Sequence, residues 1–189
     1  MSFGQMMIRY CAPTICNIKP GNIFFIKDKF FSANSFEQWK QSLACRGIMS
    51  FAIMLSETST AIFVCNESWI KTILSEEVVR KYLFEKGYYS AEILDFVAVF
   101  TKRLRNEQKF PHEIGIVLGY PVVDVIEFEN HEGNDCKYCG YWKTYSDVDN
   151  AKICQCRYKK CCRLCKKLYE EGLSLNQIVY EYKKSVKTA

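Results

Sequence analysis

Apolar residues recur at helical spacing in Ile93, Leu94, Val97 and Phe100, which predicts a helix opened by Ser90 and Glu92. The residues after Ser75 form a similar segment running to about Lys86 and stopped by Gly87, and Asp149 opens a long one running to about Glu171 before Gly172. Ser174 begins a last amphipathic helix, and Ser35, with Gln38 three residues on, reads as a capping box for a helix through about Cys45, ended near Gly47. Runs too short and too β-branched for helices predict strands at Ile23 to Ile26 and at His112 to Leu118, and a hairpin from Ile48 to Leu55 and Thr60 to Cys65. After the Gly119-Tyr120-Pro121 turn, Val122 to Glu129 fits a returning strand or a helix, and Gly140 to Tyr145 predicts a further strand. Residues 1–10 form a short helix, and Pro13 suits the first turn of a second one, which puts Cys11 at a helix start. The order of elements predicts an α+β fold, helices around a small, mostly antiparallel sheet.

A length of 189 residues makes one domain, 1–189, the expectation, and 13 Phe, 12 Tyr and 3 Trp supply enough apolar surface to exclude a disordered chain. Apolar runs such as Ala91 to Phe100 fall short of the roughly 20 residues that cross a bilayer. Met1 to Tyr10 lacks the pattern of a secretion signal, so a cytoplasmic protein is expected. The formal charge of +5 is uneven: Lys152 to Ala189 holds ten basic residues against Glu170, Glu171 and Glu181, leaving the rest slightly acidic. This basic helical part, about 149–189, would attract an acidic partner. Tyr158, Tyr169, Tyr180 and Tyr182 form no stacking platform on a strand, so nucleic acid is not expected as the partner, and neither is a membrane.

Eleven cysteines is an odd number in a chain with no secretion signal, which argues for thiols or metal ligands over disulfides. Seven of them, Cys136, Cys139, Cys154, Cys156, Cys161, Cys162 and Cys165, crowd the last third. The two-residue gaps in Cys136-Lys-Tyr-Cys139 and Cys162-Arg-Leu-Cys165 fit a zinc site. Against that, Cys154 to Lys167 follows a continuous helical pattern, so small apolar thiols packed on a helix are the first reading and no metal or bound cofactor is expected. Of the two histidines, His131 falls in a polar turn, whereas His112 opens an apolar run.

A thiol at a helix amino terminus is stabilised as thiolate by the helix dipole, a description that Cys11 meets best. Its base would be His112, with Glu129 returned toward His112 whether 122–129 is strand or helix, as the group orienting the imidazole. Glu127, Asn130, Asp124 and Glu113 are the alternatives for that third role, and Gln5 is a candidate oxyanion donor.

Tyr10-Cys11-Ala12-Pro13-Thr14 with Ile18-Lys19-Pro20-Gly21-Asn22, Phe110-Pro111-His112 through Gly119-Tyr120-Pro121, and Cys139-Gly-Tyr-Trp-Lys-Thr-Tyr145 resemble the signature segments of a mostly clostridial family catalogued as a domain of unknown function. The resemblance implies a papain-like cysteine-protease fold and N-acyltransferase activity, most similar to the diamine N-acyltransferases of closthioamide-type polythioamide biosynthesis. It implies Cys11 and His112 as nucleophile and base in a Cys, His, Glu triad. The donor would be an acyl thioester on the phosphopantetheinyl arm of an acyl or peptidyl carrier protein, and the acceptor a short diamine. A cysteine peptidase or amidase of the same fold is the nearest alternative.

Overall fold

The computed structural model describes residues 1–106 and 110–187. The fold is α+β, and the chain divides into two compact units. Unit 1 joins Met1–Asn66 to the chain from Cys156 onward, and unit 2 is Glu67–Gln155. Among the described residues no helix is long and apolar enough to cross a membrane.

Unit 1 opens with α1 (Phe3–Ile15), whose amino terminus is closed by a capping box: the Ser2 hydroxyl accepts from the Gln5 amide and the Gln5 side chain accepts from the Ser2 amide. Gln5 is exposed and its Oε1 caps the start of α1. Pro13 lies inside this helix, so the two helices expected around it are one, and Cys11 stands in its last turns and not at a start. That removes the dipole argument for a Cys11 thiolate, since donors are orphaned only in the first turn. The chain leaves α1 through Asn17, in the left-handed region at φ 57°, and the Ile18 amide returns to the Pro13 carbonyl at 2.9 Å.

Three antiparallel strands follow, β1 (Gly21–Lys27), β2 (Ile48–Ser56) and β3 (Ser59–Asn66), with β3 in the centre and the β2–β3 hairpin as expected. Between β1 and β2 lies α2 (Ala33–Ala44), capped by Ser32, not Ser35, whose own amide donates to the Ser32 hydroxyl at 3.2 Å. α1 packs on β1, β3 and α2, and α2 on β2. Ile62 and Val64 of β3 share one core with Met7, Ile8, Cys11 and Ile15 of α1. Cys161 and Cys165 of α8 (Val148–Glu170) and Ile178, Val179 and Tyr182 of α9 (Leu175–Lys187) join that core. α9 starts on Ser174, whose hydroxyl accepts from the Gln177 amide at 3.4 Å.

Unit 2 is mostly helical: α3 (Glu67–Ser75), α4 (Glu77–Glu85), α5 (Ile93–Asn106), α6 (Ile114–Val117) and α7 (Val122–Asn130). The helix expected to begin after Ser75 follows Glu76, because Ser75 still belongs to α3. The strand expected over His112 to Leu118 is instead the short helix α6, with the Gly115 amide donating to the His112 carbonyl at 2.9 Å. Gly140 to Tyr145 reduces to the two-residue strands β4 (Tyr138–Cys139) and β5 (Lys143–Thr144). Asp147, and not Asp149, accepts from the Asn150 amide at 2.9 Å at the start of α8.

Candidate thiolate centre and the histidine cleft

α8 is amphipathic in a simple way: Tyr158, Cys161 and Cys165 are buried while Lys159, Lys160, Arg163, Lys166 and Lys167 are exposed. Residues four apart lie on one helix face, so Cys161 and Cys165 point the same way. α1 comes close to that face, since a Cβ on Gly4 would overlap the Tyr169 hydroxyl. The approach brings Cys16, the residue that ends α1, to Cys165 with 3.6 Å between sulfurs; Cys165 is 3.9 Å from Cys161. All three sulfurs lie within 4.8 Å of one another and all three residues are buried. Three thiolates bound to one ion at about 2.3 Å would stand about 3.8 Å apart on a tetrahedral face and about 4.0 Å apart in a planar trigonal set. Two sides of the observed triangle, 3.6 and 3.9 Å, lie close to these values, and the third is within 4.8 Å.

The three thiols do not titrate alike. Hydrogen bonds from Cys161 and then Cys165 stabilise the Cys16 thiolate, and against the opposing effect of burial they bring its pKa down to about 5. Cys161 is pushed far up, chiefly by its hydrogen bonds to Cys16 and Cys165, and Cys165 is pushed up by its bond to Cys16. The cation that acts on Cys16 is Arg46; Lys19, 5% exposed, has its ammonium 5.8 Å from the centre of the Tyr158 ring on α8. Burial lowers the Lys19 pKa to about 8, while the Cys11 and Cys162 thiols oppose that shift. Cys11 itself is fully buried and its pKa is driven well above the thiol range, first by desolvation and only partly offset by Lys19. Burial also raises Cys162, to about 11.

All eleven cysteines are free thiols. Of the zinc quartet read from the sequence, Cys136 and Cys139 belong to unit 2, while Cys162 and Cys165 belong to unit 1, where Cys165 pairs with Cys16 and Cys161. Spacing in the sequence obscured this, because Cys16 and Cys165 are 149 positions apart. The signal that was there is the four-residue step from Cys161 to Cys165 on a helix.

His112 and Glu129 are both in unit 2, with Cys11 in unit 1. The two line one cleft of about 540 Å³ with Lys86, Arg103, Glu113 and Phe128. The His112 ring packs on Phe128 at 4.6 Å, and Glu129 accepts from the Lys86 ammonium at 2.6 Å. Glu113 is buried as the acceptor of Arg103 Nε at 2.6 Å and of the Tyr88 hydroxyl at 2.8 Å. Asp124 is also buried, accepting from the amides of Tyr145 at 2.9 Å and Ser146 at 2.8 Å and from the Trp142 indole at 2.8 Å. Glu127 faces His131, with 3.4 Å between its carboxylate and the imidazole, and accepts from Asn130 at 3.2 Å.

No curated protein and no solved structure matches the chain. Residues 7–179 match the model of a family described as protein of unknown function (DUF3793), and the chain belongs to that family.

Proposed function

We propose that this protein binds one soft, d10 metal ion on Cys16, Cys161 and Cys165. The reading is carried by one observation, three buried sulfurs from distant parts of the chain, two of their separations being 3.6 and 3.9 Å. Thiolate sulfur selects ions such as Cu(I) and those of the zinc group over hard cations. Among the described residues no fourth ligand joins the three, and burial keeps water from completing the shell. That favours an ion content with three ligands. The bound thiols must each give up a proton, and Cys16 is already poised to do so.

The test is titration of the full chain, reduced and freed of metal, with Cd(II), followed by thiolate-to-metal charge-transfer absorption. One equivalent bound per chain, lost in a Cys161→Ser, Cys165→Ser double variant that keeps its circular dichroism, is the expected result. Binding that survives in that variant, or no binding at micromolar metal, would overturn the reading.

A second reading retains the papain-like fold and acyl-transfer chemistry. Cys11 would carry the acyl group from a carrier-protein thioester to a diamine, with His112 as base and Glu129 as its orienter. What supports it, besides the motif resemblance, is that His112 and Glu129 share a cleft. It requires Cys11 to become reachable, since a buried thiol with a raised pKa keeps its proton. Intact mass after incubation with a small acyl thioester decides it: an adduct that needs Cys11 and is discharged by a diamine supports acyl transfer, and none refutes it.

A further inference from the structure

We propose that Cys16 and Cys165 are a dithiol that a small hydroperoxide converts to a disulfide and, resting on the metal-binding reading, that this oxidation and metal loading exclude each other. The two sulfurs are 3.6 Å apart and belong to residues 149 positions apart, one ending α1 and the other inside α8. A disulfide asks for Cβ atoms about 3.5–4.5 Å apart. Cys161 and Cys165 miss that condition, because residues four apart on a helix keep their Cβ atoms about 5–6 Å apart, although their sulfurs are 3.9 Å apart. Cys16 comes from another element and is under no such fixed spacing. Of the two sulfur contacts that Cys165 makes, the one to Cys16 is therefore the one that can close.

Burial selects the oxidant. Cys16 is 3% exposed and Cys165 0%, whereas Cys45, Cys139 and Cys156 are exposed. A bulky disulfide such as oxidised glutathione meets the exposed thiols and is shut out of the pair, while hydrogen peroxide is uncharged and little larger than water. It is also the one co-reactant the step needs. One sulfur, as thiolate, displaces hydroxide from the peroxide and becomes a sulfenic acid, and the hydroxide takes up the released proton as the first water. The second sulfur then attacks the sulfenic sulfur; the S–S bond forms, and the hydroxyl leaves with the second thiol's proton as the second water. The sulfurs give up two electrons, and the O–O bond is reduced. The disulfide takes two of the three thiolates from the metal centre, and Cys161 alone does not hold a soft ion. An ion on the three sulfurs, in turn, occupies the lone pairs with which they would attack peroxide.

The experiment treats the full chain, reduced and metal-free, with a small excess of hydrogen peroxide, denatures it in N-ethylmaleimide to block the remaining thiols, digests it without reductant and maps the links by mass spectrometry. The expected result is a Cys16–Cys165 link that dithiothreitol removes and that oxidised glutathione does not produce. The inference is overturned if no such link forms while the exposed Cys45 is oxidised, if either residue is linked to Cys161 instead, or if oxidised glutathione makes the link as fast. Cd(II) supplies the second arm: the oxidised chain should lose its one-equivalent binding, and a chain loaded beforehand should resist peroxide at this pair. A link that forms as fast with Cd(II) bound refutes the exclusion. If Cd(II) binds and no link forms, the inference falls and the metal site stands; if the link forms and Cd(II) never binds, the metal reading falls and the dithiol stands.

Discussion

Asp124 is the clearest case for a quantitative test, because it was a candidate for a catalytic role and the structure gives it another. Its two carboxylate oxygens hold three donors that come from one stretch, the Trp142 indole and the amides of Tyr145 and Ser146, and so fasten residues 142–146 to α7. Asp124→Ala leaves all three without an acceptor. The Tyr145 amide is buried, and the other two donors are partly reached by water. A donor that loses a charged acceptor costs about 1.5–3 kcal/mol when buried and less when water can replace it, so the expected loss is about 3–5 kcal/mol. Asp124→Asn keeps an oxygen for the two amides and turns an NH₂ group toward the indole, which removes one bond and costs about 1–2 kcal/mol. Urea unfolding gives the magnitudes, and amide hydrogen exchange at Tyr145 and Ser146 reports the local effect. If Ala costs less than about 1 kcal/mol, or Asn costs as much as Ala, the carboxylate does not hold this segment in the way described.

Burial of Lys19 gives a pH prediction. With its pKa lowered from 10.5 to about 8, the folded chain binds fewer protons than the unfolded chain between those values. The penalty is fully present below about pH 8 and is relieved as pH rises toward 10.5, so wild type measured against Lys19→Met in metal-free protein should gain about 3 kcal/mol over that window. Taking the difference cancels the cysteines that do not act on Lys19, leaving the smaller contributions of Cys11 and Cys162. Gly4→Ala should destabilise by about 1–3 kcal/mol and weaken Cd(II) binding, and adding Tyr169→Phe, which removes the overlapping hydroxyl, should restore much of both. Glu113→Ala takes the acceptor from Arg103 and Tyr88 and should cost about 3 kcal/mol in urea unfolding. Chelation should lower the thermal midpoint, since free ion at a hundred times its Kd contributes about 2.7 kcal/mol.

The elements that could be read from the sequence are those whose signals are local. The β2–β3 hairpin, the start of α9 at Ser174 and the ends at Gly47, Gly87 and Gly172, all with positive φ, depend on neighbours within a few residues. Ile114 to Val117 misled because all four residues are buried, which erases the period that separates helix from strand. α1 misled because proline was given its preference for a first turn, yet α1 runs through Pro13, with the Cys16 amide bonding back to Ala12 at 2.9 Å. The helix α3 escaped notice altogether. The shared cleft of His112 and Glu129 followed from a short return between two nearby segments. The sulfur triangle did not, since it depends on α1 meeting α8, a long-range packing event with no local signature.

Unit 1 is built from two stretches of sequence with unit 2 inserted between them, and this has a consequence during translation. Cys16 leaves the ribosome 149 positions before Cys165, an interval of about 7–30 s at ordinary elongation rates of about 5–20 residues per second. Throughout it, the nascent sheet and α1 present an uncovered apolar face and an unshared thiol, a state that chaperones recognise and oxidants reach. An ion loaded onto the three sulfurs cannot template the early half of the chain. On the metal-binding reading, loading waits for α8 and is a step of maturation.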